Sequence, residues 1–147
     1  MIVENKKARF DYEVIESFEA GIVLTGAEVK SVRSGGANFA GSRVLIKEDG
    51  AYLVGLNIQK YKFDNREEHE PARTRKLLLH KREMFTIQTK MKSAGLTLVP
   101  MKLYNKGSLV KVEVVLVRGK KKFEKREILK KREVDKGLAR RLKTVNL

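Results

Sequence analysis

The clearest hydrophobic pattern in the chain runs from Leu109 to Val117, where apolar and polar residues alternate. Alternation with a period of two predicts a β-strand that is buried on one face. The apolar face of this strand carries Val110, Val112, Val114 and Leu116. Lys111 and Glu113 fall on the opposite face, so we expect both side chains to point away from the core.

Other segments have the composition of strands. Residues 10–24 are rich in aromatic and branched residues and predict a long strand that bends near Gly21. Residues 43–48 and 51–56 predict a hairpin around Glu48-Asp49-Gly50, because Asp-Gly is a strong turn signal. Residues 96–104 predict a strand that Pro100 makes either an edge strand or a bulged one.

Three segments favour helices. A short helical turn is predicted over residues 4–9. Thr25 and Glu28 have the spacing of a capping box and open a second helix, which Gly35 and Gly36 end. A third helix is predicted over residues 80–94, ending at Gly95. The apolar face of that third helix carries Met84, Ile87 and Met91.

About six strands, two to three embedded helices and no alternation of strand and helix predict a mainly β fold. The architecture that fits best is a partly open, OB-like antiparallel β-barrel over residues 1–118. Residues 59–75 are polar and contain Pro71, so they predict a long surface loop.

The charge is concentrated after the last strand. Residues 118–143 hold 13 Lys/Arg against 4 Asp/Glu, a net charge of +9, while the whole chain carries +15. Such a block repels itself and is stabilised by phosphate. Residues 119–147 therefore predict a flexible basic tail that is disordered when free and helical on a partner. Nucleic acid is favoured over a membrane surface, because the tail has little Phe or Leu and no Trp to insert.

Little in the chain indicates catalysis. There is no Cys, which excludes disulfides and thiolate metal sites and suits a reducing cytosol. His69 and His80 do not have metal-ligand spacing. Gly119-Lys120 lacks the other residues of a phosphate-binding P-loop. No signal peptide or membrane-spanning segment is expected, and we predict a non-enzymatic, cytoplasmic protein without a cofactor.

Several sequence blocks resemble the SsrA-binding protein family (small protein B, SmpB). The blocks are Asn5–Tyr12, Glu19–Arg33, Arg73–Glu83, Gly95–Pro100, Leu103-Tyr104 and Arg118–Lys121. They occur in the family's order, and the resemblance extends from about Asn5 to Arg132. It implies an OB-like barrel with embedded helices and a basic C-terminal tail.

The resemblance also implies a function in bacterial trans-translation, the rescue of ribosomes stalled on messages that lack a stop codon. Members of this family bind the tRNA-like domain of transfer-messenger RNA (tmRNA, or SsrA RNA) and deliver it to the ribosome. Their tail enters the vacant mRNA path near the decoding region of the small subunit. Elongation factor Tu is an indirect partner through alanyl-tmRNA, and the protein is expected to act as a monomer.

Site residues follow from the same resemblance. The family's tmRNA-binding positions correspond here to Asn5, Lys7, Glu19, Leu78 and Lys111, and the basic residues Arg9, Lys30 and Arg33 complete the expected set. The expected ribosome-binding residues of the tail are Lys120, Lys121, Lys122, Phe123, Glu124, Lys125, Arg126, Lys130, Lys131 and Arg132. The tail departs from the family pattern of Tyr or His followed by Asp, because Phe123 and Glu124 stand in those places.

The residues by themselves leave alternatives open. Lys111 could be a solubilising surface residue, and Asn5 could only cap the first helical turn. Glu19 could accept a hydrogen bond from a base or ribose hydroxyl, orient a nearby Lys or Arg, or form an ordinary salt bridge. Leu78 could be a core residue or an exposed contact for an unstacked base. A generic OB-type RNA-binding protein explains the charge and the strands equally well, but not the ordered blocks.

Overall fold

A computed structural model of the chain describes residues 3–63 and 69–119. These residues contain three helices: α1 (Lys6–Asp11), α2 (Gly26–Arg33) and α3 (Lys81–Ala94). They also contain nine strands: β1 (Val3–Glu4), β2 (Tyr12–Ile22), β3 (Ala37–Asn38), β4 (Arg43–Lys47), β5 (Gly50–Val54), β6 (Asn57–Ile58), β7 (Arg75–Leu78), β8 (Thr97–Lys106) and β9 (Leu109–Gly119). The mainly β fold with embedded helices is confirmed.

Seven strands form one antiparallel sheet in the order β1-β8-β9-β2-β7-β5-β4, and β3 pairs separately with β6. Strand β4 packs against β8, although no hydrogen-bonded pairing joins them in the described part of the chain. The sheet therefore curls into an OB-like barrel that stays open along one seam, as predicted. Strands β1, β3 and β6 have only two residues each, too few to leave a pattern in the sequence.

The main core lies on the inner face of the curled sheet. It is built from alternate residues of the long strands, including Val112 and Val114 of β9, and from Ile87 of α3. Met84 and Met91 pack against this core on either side of Ile87, which confirms the predicted apolar face of α3. Val32 of α2 reaches the same core.

A second, smaller core lies on the opposite face of the sheet, which we name the outer face. Ala8 of α1 packs there against buried residues of β8 and β9, and Tyr12 borders the cluster. The buried strand residues of this second core are Val99, Met101, Val115 and Val117. Helix α1 therefore covers one end of the outer face.

Strands β2 and β8 each contain a shift in register. In β2 the register shifts between Val14 and Glu16, so the irregularity lies several residues before the predicted bend at Gly21. In β8 the register shifts between Pro100 and Lys102, which confirms a bulged strand at the proline. Strand β1 pairs on the other side of β8, so β8 is not an edge strand over its full length.

Local sequence signals predicted most of the ends of the helices and strands correctly. Thr25 and Glu28 form the predicted capping box, with the Glu28 amide donating to Thr25 Oγ1 at 3.2 Å. Gly95 ends α3 in the left-handed conformation, at φ 63°. The β4–β5 hairpin forms at the predicted turn. Helix α1 extends to Asp11, so β2 begins two residues later than expected.

The predicted surface loop over residues 59–75 is wrong at its C-terminal end. Arg75 begins β7 and is fully buried. A buried guanidinium is tolerated only when it is paired, and its partner Glu28 lies on α2, 47 residues earlier in the chain. Residues 64–68 of this segment lie outside the described residues.

Candidate RNA-binding face

Four strands bring candidate residues into one row on the outer face. The register pairs Leu78 of β7 with Gly21 of β2, Gly21 with Lys111 of β9, and Lys111 with Tyr104 of β8. Directly paired residues of neighbouring strands point to the same face of a sheet. Leu78 and Lys111, which lie 33 positions apart, are therefore separated only by a glycine.

Leu78 is held on this face by the glycine beside it. A Cβ added to Gly21 would lie 3.2 Å from Leu78 Cβ and 3.3 Å from Leu78 Cδ1, so the leucine side chain occupies the space above Gly21. Leu78 remains 57% exposed. Of the two alternatives that the sequence left open, the core residue is therefore excluded, and the exposed apolar contact remains.

Glu19 is the centre of a hydrogen-bonded network on the same face. Its carboxylate accepts one hydrogen bond from the Tyr104 hydroxyl and another from Lys106 Nζ at 2.9 Å. The hydrogen bond from Tyr104, then that from Lys106, and the positive charges of Lys106 and Lys111 hold the pKa of Glu19 below its ordinary value. Glu19 is therefore ionised and partly committed to Tyr104 and Lys106.

The Tyr104 ring is fixed by the same network. Burial, the hydrogen bond to Glu19 and the negative charge of that carboxylate raise the pKa of Tyr104 well above its ordinary value. The hydroxyl is consequently a donor throughout the physiological range. Lys102 Nζ lies 5.5 Å from the centroid of the ring and 3.7 Å from Glu113 Oε2.

Lys111 points away from the main core, as the alternation predicted. It lies among the side chains of the outer face, near enough to Glu19 to lower the pKa of that carboxyl. No ion pair joins Lys111 to a residue of the described ranges. Its ammonium group is therefore available to a phosphate.

Helix α1 sits at one end of the outer face. Its N-cap is Asn5, whose Oδ1 accepts from the Ala8 amide at 3.2 Å and whose Nδ2 donates to the Pro100 carbonyl at 2.8 Å. Asn5 thus has the capping role that the sequence left open, and it also ties α1 to β8. Lys7 is exposed, while Arg9 lies 3.7 Å from the Glu4 carboxylate.

The two basic candidates on α2 already have contacts within the protein. Lys30 Nζ lies 5.6 Å from the centroid of the Tyr61 ring. Arg33 donates to the Ser108 carbonyl at 2.8 Å and to Asn105 Oδ1 at 3.4 Å, which joins α2 to the β8–β9 turn. Both side chains are exposed and keep further donors for an RNA ligand.

A buried ion pair supports this arrangement and was not predicted from the sequence. The Arg75 guanidinium donates to Glu28 Oε2 from Nε at 2.8 Å and from the NH2 nitrogen at 2.5 Å, and it also donates to the Leu56 carbonyl. Arg73 donates to Glu28 Oε1 at 2.5 Å. Burial raises the pKa of Glu28, but the hydrogen bonds from Arg73, Thr25 and Arg75 outweigh burial and leave that pKa below its ordinary value. Burial likewise lowers the pKa of Arg75, and Glu28 opposes that shift.

The capping box identified Glu28 as a helix-start residue, but nothing in the sequence indicated that Arg75 would be its buried partner. Tyr104 was likewise missed as the partner of Glu19. Its signal was present, because Leu103-Tyr104 is one of the blocks that carry the family resemblance.

The described residues contain neither a metal site nor a membrane-spanning helix. In residues 3–63 and 69–119, no group of three or more His, Asp or Glu side chains is placed to hold a metal ion. Within the same ranges, no helix is long and apolar enough to cross a membrane. The predicted tail residues Lys120–Arg132 lie outside the described part of the chain.

Comparison with known families shows to which family the chain belongs. The family model described as SmpB protein matches residues 2–144, almost the whole chain. The chain belongs to the SmpB family. The family model spans both the barrel and the basic segment that follows β9.

Relatives of this SmpB family member are close over their full lengths. The SsrA-binding protein of Geotalea uraniireducens is 49% identical, and the match covers 99% of this chain and 97% of the relative. The SsrA-binding protein of Thermosipho africanus is 47% identical, with 97% of each chain covered. A solved structure described as "tmRNA-SmpB: a journey to the center of the bacterial ribosome" is 45% identical, with a TM-score of 0.68 over 82% of this chain and 85% of the other.

Proposed function

We propose that this chain binds the tRNA-like domain of tmRNA and delivers it to stalled bacterial ribosomes for trans-translation. The observation that carries this proposal is the full-length match to SsrA-binding proteins, together with the likeness to a solved tmRNA–SmpB structure. The outer face supplies a physical basis, because it gathers candidate residues from three separate sequence blocks onto one surface.

The outer face suits recognition of a folded RNA by its shape better than recognition of a particular base sequence. A-form RNA hides most base edges in a deep groove, so proteins recognise it by shape, through phosphates, 2′-hydroxyls and a few unstacked bases. In this proposal Lys111 and Lys7 contact phosphates. Glu19, oriented by Tyr104, is an acceptor for a 2′-hydroxyl or a base N–H, and exposed Leu78 is an apolar contact for an unstacked base.

The division of labour that we propose assigns RNA capture to residues 1–118 and ribosome sensing to residues 119–147. Charge supports it, because residues 118–143 carry +9 of the total +15. In this proposal the tail meets ribosomal RNA of the small-subunit decoding region, and bound mRNA excludes it. Elongation factor Tu takes part indirectly through alanyl-tmRNA. The protein acts in the cytoplasm as a monomer and performs no covalent chemistry.

A competitive titration tests this function. The full chain is titrated with the tRNA-like domain of tmRNA, with bulk tRNA and an unrelated hairpin as competitors, at several salt concentrations. We expect a preference for the tRNA-like domain that persists near physiological salt. Equal binding to all three RNAs, weakening together as salt rises, would instead indicate a generic RNA-binding protein.

A further inference from the structure

A cleft lies where the main sheet fails to close. One wall is α1, and the other is the turn of residues 38–42 that leads from β3 into β4. The cleft has a volume of about 400 Å³. We name it the seam cleft, because it lies between β1, at one end of the sheet, and the turn that leads into β4, at the other end. None of the residues in the row from Leu78 to Tyr104 lines this cleft.

The floor of the seam cleft is apolar. It is lined by Ala8 and Val99 of the second core and by Phe39, all of which are buried. Tyr12 also lines the cleft and is half-buried against the same core. No hydrogen bond joins the Tyr12 hydroxyl to any residue in the described ranges, so a flat aromatic surface is combined with a polar group that lacks a partner.

Charges stand at the rim of the seam cleft. Lys6 and Lys7 line it, are exposed, and form no ion pair with residues of the described ranges. Two carboxylates, Glu4 and Asp11, line it as well. A phosphate is therefore expected on the lysine side of the rim and not inside the cleft. An uncharged, planar, hydrogen-bonding group suits the interior.

The ligand chemistry follows from these features. A volume of about 400 Å³ is in the range of small-molecule sites and can hold one nucleobase with its ribose. Unstacked bases in RNA complexes stack on aromatic side chains and bond through their edges. Lys7, which lines the cleft, is also one of the residues proposed to bind RNA, so the cleft is continuous with the proposed RNA-binding face.

We propose that the seam cleft accepts one unstacked nucleobase of the bound RNA, which lies against Tyr12 while its phosphate meets Lys6 or Lys7. The inference rests on the proposed RNA-binding function and adds to it a nucleotide site in which Tyr12, Phe39 and Ala40 join Lys7. Tyr12 also pairs with Gly119, the last described residue. The bound nucleotide consequently lies beside the end of β9, where the basic segment begins.

The first test fills the cleft. Ala40 is exposed and lines the cleft wall, so Ala40→Trp in the full chain places a ring in the space of the base. Base–aromatic stacking makes the expected loss of affinity for the tRNA-like domain roughly 5- to 150-fold. The matched control is Ala94→Trp, the same change at an exposed residue of α3, which should leave the affinity unchanged. Thermal melting checks that both variants fold.

The second test needs no variant. Amide spectra of the wild-type full chain are recorded with each of the four ribonucleoside 5′-monophosphates. We expect shifts confined to residues 5–12 and 38–42, and weaker shifts in Tyr12→Phe. Unchanged affinity of Ala40→Trp and no shifts in these segments, while the wild type still binds the tRNA-like domain tightly, would overturn the seam-cleft proposal and leave the function standing.

Two other results of these experiments would lead to different conclusions. Wild-type protein without any preference for the tRNA-like domain contradicts the proposed function itself. Removal of residues 120–147 that shifts the cleft amides, when nucleotides do not, identifies the chain's own C-terminal segment as the occupant and also overturns the nucleobase proposal.

Discussion

The Tyr104 hydroxyl donates a hydrogen bond to the Glu19 carboxylate across an intervening strand, since β9 lies between β8 and β2 in the sheet. Both side chains must lean over β9 to meet. The bond therefore fixes an aromatic ring and an ionised carboxylate on the surface proposed to bind RNA. Orientation before binding reduces the entropy that an RNA complex would otherwise lose at these side chains.

Replacing Tyr104 with Phe tests this arrangement. The change removes the largest cause of the lowered pKa of Glu19, so that pKa should rise toward 4.5, although Lys106 still holds it down. An NMR titration of the Glu19 carboxyl measures the shift. The affinity for the tRNA-like domain should fall several-fold. An unchanged pKa would show that Tyr104 does not hold Glu19 in solution.

Replacing Gly21 with Ala should displace Leu78, because the new Cβ would lie 3.2 Å from Leu78 Cβ. We expect weaker RNA binding and altered side-chain shifts for Leu78, both measurable on the same sample. Gly26→Ala is the matched control, since nothing lies within 4 Å of a Cβ there. Equal RNA affinity for the two variants would show that Leu78 does not contribute to RNA binding.

Lys111→Ala should flatten the salt dependence of RNA binding. If Lys111 meets one phosphate, the slope of log affinity against log salt becomes shallower by about 0.7–0.9. Lys92→Ala, a change at an exposed residue of α3, should leave the slope unchanged. A slope for Lys111→Ala that equals the wild-type slope would mean that this lysine contacts no phosphate.

Glu28→Gln should destabilise the fold strongly. Breaking a buried ion pair by removing one partner costs about 3–5 kcal/mol, because a charge is left buried without compensation. Glu13→Gln breaks the exposed pair with Arg118 and should cost less than about 1 kcal/mol. Urea denaturation at neutral pH measures both variants, and similar losses would contradict the structural role of Arg75.

The Glu28 pair also predicts a pH dependence. The folded-state pKa of Glu28 lies below its ordinary value of 4.5, so its contribution to stability is present above that value. The contribution is lost as the pH falls through the folded pKa. Denaturation between pH 6 and pH 3 should show a steeper loss for wild type than for Glu28→Gln.

Ending the chain after Gly119 separates the two proposed functions. The last strand extends to Gly119 and pairs there with Tyr12, so this cut leaves β9 complete. Affinity for the tRNA-like domain should stay within a few-fold of wild type, and tagging of stalled chains in a reconstituted system should be lost. Tagging at the wild-type rate would contradict the sensing role proposed for residues 119–147.

Much of the fold was predictable because its signals are local. Alternation identified β9, a capping box opened α2, and Gly95 ended α3, each within a few neighbouring residues. The register shift in β2 between Val14 and Glu16 was not predicted, because it depends on how β2 matches β9 and not on a residue of its own. Strand β7 was missed because it has only four residues and begins with a charged one, Arg75.

The candidate site was less predictable, because its residues meet only after folding. The family resemblance selected Glu19, Leu78 and Lys111 one by one, and the sheet register then placed them on one face. Neither the link from Tyr104 to Glu19 nor that from Arg75 to Glu28 could be read from spacing, since these pairs are separated by 85 and 47 positions.

Mapping the footprint of the tRNA-like domain on the full chain tests most directly whether the outer face captures the RNA. Amide hydrogen exchange, or amide shifts by NMR, would be compared with and without the RNA. Protection is expected at α1, around Glu19 and Gly21 of β2, at Leu78, and along Tyr104 and Lys111, with α3 and the β4–β5 hairpin unchanged. Protection centred on α3 or that hairpin, with the outer face unaltered, would show that the RNA binds elsewhere.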